Sequence, residues 1–455
     1  MIKRLLIANR GEIAVRIIRT CKEMNIETVA VYSTADESSL HVQLADVAKC
    51  IGGPRSTDSY LNMENIISVA LLTNCDAIHP GFGFLSESSK FANLVEECGL
   101  IFVGPHGNII DQLGDKAAAR KLMMEANVPV VPGSKEIVED VNIGKTIAAE
   151  LGYPVLIKAS SGGGGKGMRL APDEASFEDA FFTAKSEAEI NFNDGRVYIE
   201  KFIEEPKHVE IQVIGDDYGN VVHLFERDCS MQRRNQKIIE EAPCHILKQE
   251  VREKMCADAI KACKSVNYNS VGTIEFLLDK YQNYYFIEMN TRIQVEHPIT
   301  EMVTGVDLIK LQIRVADHQH LPIKQSDIKL KGCAMECRIN AEDMQNDFRA
   351  TPGKIERLYV PGGRGIRIDS AAYTDYVIPP YYDSMILKLI TYGDTRLECI
   401  KKMRRALEEL IVDGIDTNIE FHYYIMHHPK FVEGKFDTSF TMKFIEELKN
   451  NGTII

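Results

Sequence analysis

The stretch that decides the fold is VGTIEFLLDKYQNYYFIEMNTRIQVEHPITE, residues 271–301. Two apolar runs flank a polar break at residues 280–283, and this pattern predicts a β-hairpin. With the turn over those four residues, Glu275 lies directly opposite Glu288. Two carboxylates that face each other across a ladder repel. A hard cation such as Mg²⁺, held by carboxylates and substrate phosphates, is the expected compensation.

Polar residues continue at every second position beyond the hairpin. In an extended chain they all point to one face, and they are Glu288, Asn290, Arg292, Gln294 and Glu296. A solvated outer face is the usual explanation for such alternation, but acids, amides and an arginine beside a paired carboxylate favour a binding surface. At ~3.3 Å per residue the row spans roughly 26 Å. It is therefore predicted to accommodate a metal, phosphates and a second substrate side by side.

The composition indicates a soluble globular protein of about three domains at ~150 residues each. The chain has 455 residues, of which 45% are hydrophobic and 26% charged, with a net charge of −13. This charge argues against a nucleic-acid partner. Eleven cysteines without a CxxC pair indicate buried thiols in a reducing compartment. Because neither a signal peptide nor an apolar run of ~18 residues is found, we expect a cytoplasmic protein without a membrane partner.

The N-terminal segment has a βαβ pattern. A strand is predicted over residues 2–8, a turn over 9–12, a helix through Cys21 and a second strand over 28–32. This pattern is typical of a doubly wound α/β domain. The turn has a single glycine, so the dinucleotide fingerprint is absent, and we interpret the domain as a scaffold.

Lysines and glycines in the middle of the chain predict phosphate contacts. Lys116 lies in the first turn of a predicted helix, where it opposes the helix dipole. Lys158 ends a predicted strand, and residues 162–165 are four glycines followed by Lys166. The loop lacks the Walker pattern, but its N–H groups can cradle phosphates. A flexible linker is the alternative, and the flanking Lys158, Lys166 and Arg169 favour phosphate contact.

The sequence does not determine the roles of two polar segments. Alternation over residues 208–213 places His208, Glu210 and Gln212 on one strand face. Residues 226–237 are polar and basic, which suits either a local anion site or a cluster of salt bridges.

Five segments together resemble the biotin carboxylase family. They are HPGFGFLSE at 79–87, GYPVLIKASSGGGGKGM at 152–168, EKFIEEPKHVEIQV at 200–213, RDCSMQRRNQK at 227–237 and EMNTRIQVEH at 288–297. The similarity extends over residues 1–448. It implies a doubly wound N-terminal domain over 1–113, an ATP-grasp domain over 114–330 with a mobile glycine-rich lid at about 132–202, and a C-terminal mixed-sheet domain over 331–448.

The resemblance also implies a reaction. ATP, bicarbonate and biotin on a separate carrier protein would give ADP, phosphate and N1-carboxybiotin through carboxyphosphate. This is the first half-reaction of bacterial acetyl-CoA carboxylase, which forms malonyl-CoA for fatty acid synthesis. The implied cofactors are ATP, Mg²⁺ or Mn²⁺, and the biotin of the carrier. The implied partners are the biotin carboxyl carrier protein, the carboxyltransferase subunits and a second copy of the chain in a homodimer.

The family's motifs assign nucleotide and metal contacts to particular residues. The implied ATP-binding residues are Lys116, Lys158, Gly164, Gly165, Glu200, Lys201, Phe202, Ile203, His208, Asn235, Glu275 and Glu288. The implied metal ligands are Glu275, Glu288 and Asn290. The family often has His at the position of Asn235, and an Asn cannot titrate near neutrality, so the role of this contact is open.

The remaining implied roles concern bicarbonate and biotin. Bicarbonate would be bound by Lys237, Arg292, Gln294 and the backbone N–H of Val295. Glu296 would act as general base, and Arg338 would bind biotin and stabilise its enolate-like oxygen. The implied catalytic residues are thus Arg292, Glu296, Arg338 and Lys237.

Two other functions are weighed against this interpretation. A different ATP-grasp ligase, which joins an acyl phosphate to an amine, would share the lysines, the glycine loop and the paired glutamates. It would not need Arg292, Gln294 and Glu296 together with Arg338. A non-catalytic ATP-binding regulator would have a broken glutamate pair or lack Arg292, and the sequence shows neither change.

Overall fold

The structure is a computed structural model that describes residues 1–160 and 167–453. The N-terminal strands are β1 (Arg4–Ile7), β2 (Glu27–Ser33), β3 (Val47–Gly52), β4 (Ala77–His79) and β5 (Ile101–Phe102). The helices here are α1 (Gly11–Glu23), α2 (Leu40–Leu44), α3 (Met63–Leu72), α4 (Ser89–Glu97) and α5 (Gly107–Gly114). The strands form a parallel sheet in the order β3-β2-β1-β4-β5. Helices between parallel strands cover the sheet, and the predicted doubly wound domain is confirmed.

A buried ion pair lies beyond the ends of β1 and β2. Asp36 accepts hydrogen bonds from Arg10 at 2.6 and 2.8 Å and from the hydroxyl of Tyr60 at 2.7 Å. Burial alone would raise the pKa of the Asp36 carboxyl, but the hydrogen bonds and charge of Arg10 lower it below its ordinary value. The pair therefore stabilises the fold only while Asp36 is ionised.

We expect Asp36→Asn to lower the free energy of unfolding by about 3 kcal/mol at pH 7, because Arg10 is left buried without its counter-charge. The folded-state pKa lies below the unfolded value of about 3.9, so the stabilisation is full above about pH 4 and is lost as the pH falls further. Urea unfolding at pH 7 and below pH 4 checks both points. Asp375→Asn, at an exposed ion pair with Lys354, is the control and should cost less than about 1 kcal/mol.

A small antiparallel sheet with two long helices follows. The helices are α6 (Lys116–Glu125), α7 (Val141–Leu151) and α8 (Glu174–Phe192), and the strands are β6 (Val155–Ala159), β7 (Met168–Ala171) and β8 (Val197–Lys201). The strand order is β7-β6-β8. Helices α7 and α8 pack on this sheet through a separate apolar cluster that includes Phe177 and Phe181. The glycines at 162–165 and Lys166 lie outside the described residues.

The largest sheet has eight strands. The strands of its first part are β9 (Lys207–Gly215), β10 (Val221–Arg233), β11 (Gln236–Ala242), β12 (Val271–Leu278) and β13 (Tyr284–Asn290). Helices α9 (Gln249–Ser265), α10 (His297–Thr304) and α11 (Leu308–Ala316) accompany them. C-terminal strands β14 (Cys333–Asn340), β15 (Glu342–Asp343), β16 (Arg349–Ala350), β17 (Gly353–Lys354), β18 (Arg357–Tyr359), β19 (Ile366–Ser370), β20 (Val377–Ile378), β21 (Met385–Gly393) and β22 (Ile411–Asp413) follow. The sheet order is β13-β12-β9-β10-β11-β14-β21-β19.

The last helices are α12 (Arg396–Glu409), α13 (Ile419–His427), α14 (Pro429–Val432) and α15 (Phe440–Asn450). The strand pairs described for the C-terminal region are antiparallel, rather than mixed as the resemblance implied. Parallel neighbours need a crossover, usually a helix, and the fully described residues 333–393 contain no α-helix. None of the helices described over 1–160 and 167–453 has the length and apolar content needed to cross a membrane.

The predicted hairpin is confirmed with one change. Glu275 pairs with Glu288, as expected, but Phe276 pairs with Phe286. The turn is one residue longer than predicted because the Asp279 carboxylate accepts hydrogen bonds from the backbone N–H groups of Tyr281 and Asn283, at 2.8 Å each. A bulge at position 287 shifts the strand register by one residue, so that Glu275 again lies opposite Glu288.

The prediction that the extended chain continues to Glu296 is wrong. Strand β13 ends at Asn290, and Glu296 is the N-cap of helix α10, which has Pro298 in its first turn. A turn in which His297 N donates to the Gln294 carbonyl (3.3 Å) precedes the helix. The turn and the helix that follows it end the extended conformation before Glu296.

Candidate active site

A row of charged side chains crosses the large sheet at right angles to its strands. Arg227 of β10 pairs with Glu210 of β9, Glu210 with Glu275 of β12, and Glu275 with Glu288 of β13. Adjacent strands are ~4.8 Å apart. Three carboxylates in direct register repel one another, so the fold requires cations beside them.

Lys237 lies at the centre of the carboxylates. Its Nζ is 2.5 Å from Glu210 Oε2, 2.9 Å from Glu275 Oε1 and 2.7 Å from Glu296 Oε1. Burial would lower the pKa of Lys237, but the three carboxylates outweigh burial and raise it well above its ordinary value. All three N–H donors of this ammonium group are therefore directed at acids.

Cations also lie at both ends of the row. Arg227 is fully buried and donates to Glu210 (2.6 Å) and to the side-chain oxygen of Gln294 (2.7 Å). At the other end, Lys116 Nζ is 2.7 Å from Glu288 Oε2. Asp115 caps the helix that carries Lys116, which confirms the predicted position of this lysine in the first turn.

The loop after β13 converges on the same place although it is not a strand. Arg292 donates to Glu87 and to the Asn290 oxygen, both at 2.9 Å. Gln294 donates to Glu275 Oε1 at 3.0 Å. The residues predicted as one extended face are thus brought together by side-chain hydrogen bonds around Glu275.

Glu296 joins this cluster to β14. Its two oxygens contact Lys237 (2.7 Å) and Arg338 (2.9 Å). Burial would raise the pKa of Glu296, but Lys237 and Arg338 hold it far below its ordinary value. Arg338 also contacts Glu240 at 2.5 Å, and burial raises the pKa of Glu240 to about 7.

The small sheet supplies a further buried cation. Lys158 Nζ is 2.9 Å from Glu200 Oε2, and Glu200 outweighs burial to raise the pKa of Lys158 above its ordinary value. Lys201 donates to the carbonyl oxygens of Gly152 (2.7 Å) and Tyr153 (3.2 Å). The side chain of Lys201 is therefore engaged by the backbone of the connection between α7 and β6.

His208 completes the contacts of Glu275. Its Nε2 is 2.9 Å from Glu275 Oε2. Burial would lower the pKa of His208, but the charge of Glu275 raises it overall. Asn290 also donates to Glu275 Oε1 at 2.8 Å, so Glu275 contacts a histidine, a lysine and the side-chain amides of Gln294 and Asn290.

One cavity of about 890 Å³ joins these residues. Its lining includes Lys116, Lys158, His208, Asn235, Lys237, Glu275, Glu288, Asn290, Arg292, Gln294, Val295, Glu296 and Arg338. Four predicted ATP-binding residues are not in its lining, namely Glu200, Lys201, Phe202 and Ile203. Gly164 and Gly165 fall outside the described residues.

Asn235 lies at an exposed hairpin turn between β10 and β11. Arg234 and Asn235 have φ of 52° and 63°. Two-residue turns with both φ values positive favour asparagine. Local backbone conformation thus accounts for an Asn at this position.

Three residues of the site were not predicted from the sequence, namely Arg227, Glu210 and Glu240. Glu210 was placed on a polar strand face, and Arg227 belonged to the segment left open between an anion site and salt bridges. The structure favours salt bridges for Arg227, because its guanidinium contacts Glu210 and is fully buried.

This arrangement defines a class of protein. Opposed carboxylates, buried lysines from two sheets and a cavity within the usual ~300–1,000 Å³ of a ligand site are the features of an ATP-dependent ligase of the ATP-grasp kind. The matching family models are "Biotin carboxylase, N-terminal domain" over 1–110, "Carbamoyl-phosphate synthase L chain, ATP binding domain" over 115–324 and "Biotin carboxylase C-terminal domain" over 336–443. The chain belongs to the biotin carboxylase family.

Individual relatives agree over nearly the whole chain. Biotin carboxylase 1 of Bacillus subtilis is 57% identical over 441 residues, which cover 97% of this chain and 98% of that protein. The crystal structure of a biotin carboxylase–β-γ-ATP complex from Campylobacter jejuni has a TM-score of 0.95 and 47% identity, covering 97% and 99% of the two chains. The biotin carboxylase domain dimer of Hydrogenobacter thermophilus 2-oxoglutarate carboxylase, crystallised with MgADP, ADP and bicarbonate, has a TM-score of 0.94 and 49% identity, covering 99% and 98%.

The chain is therefore a ligase that carboxylates biotin at the expense of ATP. The Hydrogenobacter thermophilus domain dimer was crystallised with the magnesium salt of ADP. The residues present fit such a metal. Two carboxylates in register, Glu275 and Glu288, and the amide oxygen of Asn290 are the hard oxygen ligands that Mg²⁺ prefers.

Proposed function

We propose that this chain is the biotin carboxylase component of a bacterial acetyl-CoA carboxylase. The relatives also include a domain of 2-oxoglutarate carboxylase. The partner transferase therefore determines which molecule finally accepts the carboxyl group. The proposed partners are a biotin carboxyl carrier protein, carboxyltransferase subunits and a second copy of the chain. Eleven free cysteines support a reducing, cytoplasmic location. The proposed domain boundaries are 1–113, 114–330 with a lid at about 132–202, and 331–448.

The observation that carries the mechanism is the convergence of Lys237, Glu296 and Arg338. Mg²⁺ bound by Glu275, Glu288 and Asn290 would neutralise phosphate charge. Lys116 and Lys237 now donate to these same glutamates. Their N–H groups are thus positioned to donate to phosphate oxygens of ATP once the glutamates have another partner.

On the nucleotide side we assign Lys158, Gly164 and Gly165 to the phosphates. Glu200, Lys201, Phe202 and Ile203 are assigned to the adenine, with His208 and Asn235 beside the ribose and phosphates. Lys201 would present its backbone, because its side chain is held by two carbonyl oxygens.

Bicarbonate would bind between Arg292, Gln294, the Val295 N–H and Lys237, because a planar anion suits an arginine fork. Glu296 takes the bicarbonate proton, and the resulting oxygen attacks the γ-phosphorus as the bond to ADP breaks, which gives carboxyphosphate. Glu296 is a weak base while Lys237 and Arg338 hold its pKa low. Its pKa rises when Lys237 turns to phosphate and Arg338 to biotin, so both substrates strengthen the base.

Carboxyphosphate would then release CO₂ and phosphate beside biotin. The phosphate removes the N1 proton, and the nitrogen attacks CO₂ while Arg338 stabilises the enolate-like ureido oxygen. Arg338 is suited to this role because it lies 2.9 Å from Glu296 and lines the same cavity.

We expect ADP release from Mg-ATP to require bicarbonate and to rise when free biotin is added. The purified chain is assayed with each substrate omitted in turn. ADP release that proceeds without bicarbonate, or that does not respond to biotin at high concentration, would contradict the mechanism and favour a different ATP-grasp ligase reaction.

A further inference from the structure

We propose that His297 and Lys388 are positioning residues that fix two consecutive peptide groups, so that the Val295 N–H points into the bicarbonate pocket. This inference rests on the proposed function, which places bicarbonate at that N–H. It assigns roles to two buried side chains that do not line the cavity.

The first peptide group is held by His297. Its Nδ1 lies 2.8 Å from the carbonyl oxygen of Gln294. A carbonyl only accepts, so Nδ1 carries the proton. In a trans peptide the C=O and the following N–H point in opposite directions. Because the Gln294 carbonyl is drawn towards His297, the Val295 N–H points away from it, and Gln294 and Val295 line the cavity whereas His297 does not.

The second peptide group is held by Lys388. This lysine of β21 is fully buried, and its Nζ lies 2.9 Å from the Val295 carbonyl oxygen. Its charge is balanced by Glu12 of α1 at 3.0 Å. The segment 294–296 is therefore anchored from the N-terminal and C-terminal parts of the chain at once, and Glu296 follows directly after the second fixed peptide.

The surroundings keep His297 in the required form. Burial holds the pKa of His297 well below its ordinary value, and the cations Lys388, Arg16 and Arg367 lower it further. Its Nε2 has no hydrogen-bond partner among the described residues. A neutral ring with its one proton on Nδ1 satisfies both observations. An alternative explanation is that His297 only helps helix α10 to begin. A helix does not need an imidazole for this, so the start of α10 does not by itself explain the contact with the Gln294 carbonyl.

The test compares KM for bicarbonate and KM for ATP in the ADP-release assay. His297→Ala should raise KM for bicarbonate about tenfold, the loss expected for one hydrogen bond to a charged group, with KM for ATP unchanged. His297→Asn keeps an N–H donor close to the position of Nδ1 and should restore most of the affinity. His41→Ala is the matched control, because His41 is also buried, contacts a backbone carbonyl, that of Val31 at 3.3 Å, and does not line the cavity.

Equal KM values for bicarbonate in His297→Ala and the wild type would overturn the proposal and leave the proposed function intact. Bicarbonate-independent ADP release by the wild type would instead overturn the proposed function, and the inference with it. If His297→Ala does not fold, the double variant Lys388→Met/Glu12→Gln removes both charges of the second anchor together. An unchanged KM for bicarbonate in that variant would also count against the proposal.

Discussion

Glu288→Gln should lower Mg²⁺-dependent ATP turnover by about 100-fold or more. A metal that polarises phosphoryl oxygens contributes several kcal/mol, and each 1.36 kcal/mol is tenfold in rate. The amide keeps an oxygen ligand but loses the negative charge that lies opposite Glu275 in the strand register and that pairs with Lys116 at 2.7 Å. Raising the Mg²⁺ concentration should restore part of the activity, because the weakened site can still be filled by mass action.

The control for this variant is Glu178→Gln. Glu178 also lies 2.7 Å from a lysine, Lys145, but on the exposed face of α8. We expect it to keep wild-type turnover and wild-type Mg²⁺ dependence. Wild-type turnover in Glu288→Gln itself would remove this glutamate from the metal site.

Arg338→Ala should abolish carboxylation of biotin while bicarbonate-dependent ATP hydrolysis continues at a reduced rate. Removing one donor to a developing oxyanion costs about 100- to 1,000-fold, and this loss falls only on the step that involves biotin. Hydrolysis should fall less, because Arg338 affects the earlier step only through its contact with Glu296. Fixation of labelled bicarbonate into free biotin and release of ADP are measured on the same preparation.

The control here is Arg357→Ala, which removes an exposed arginine that pairs with Asp413 on the neighbouring strand β22. Both activities should stay at the wild-type level in this variant. If Arg338→Ala loses hydrolysis and carboxylation in equal measure, Arg338 supports the site as a whole or serves ATP instead of biotin.

Much of the fold followed from local patterns in the sequence. The hairpin, the glutamate pair and the doubly wound start were predicted because alternation and turn residues act over a few positions. The bulge at position 287 could not be predicted, because it depends on the Asp279 carboxylate closing a longer turn. The pairs nearer the turn are shifted by one residue from the prediction, and the bulge removes this shift at Glu275.

The site was predicted in part. Its residues after Asn290 were assigned to a strand, and they meet through a loop whose shape is set by Glu87, His297 and Lys388. The contacts of Glu87 and Lys388 join residues far apart in the sequence, and local periodicity cannot predict them. Glu210 was missed as a member of the carboxylate row because its alignment with Glu275 depends on the pairing of β9 with β12.

The pairing of β11 with β14 has a mechanical consequence. Lys237 belongs to β11 and Arg338 to β14, and these strands are hydrogen-bonded neighbours in one antiparallel ladder. No hinge therefore lies between the cation proposed for the phosphate and the cation proposed for biotin. The distance that CO₂ would cross between the two proposed positions is therefore set by strand spacing within this ladder, and it does not depend on the position of the separate three-stranded sheet.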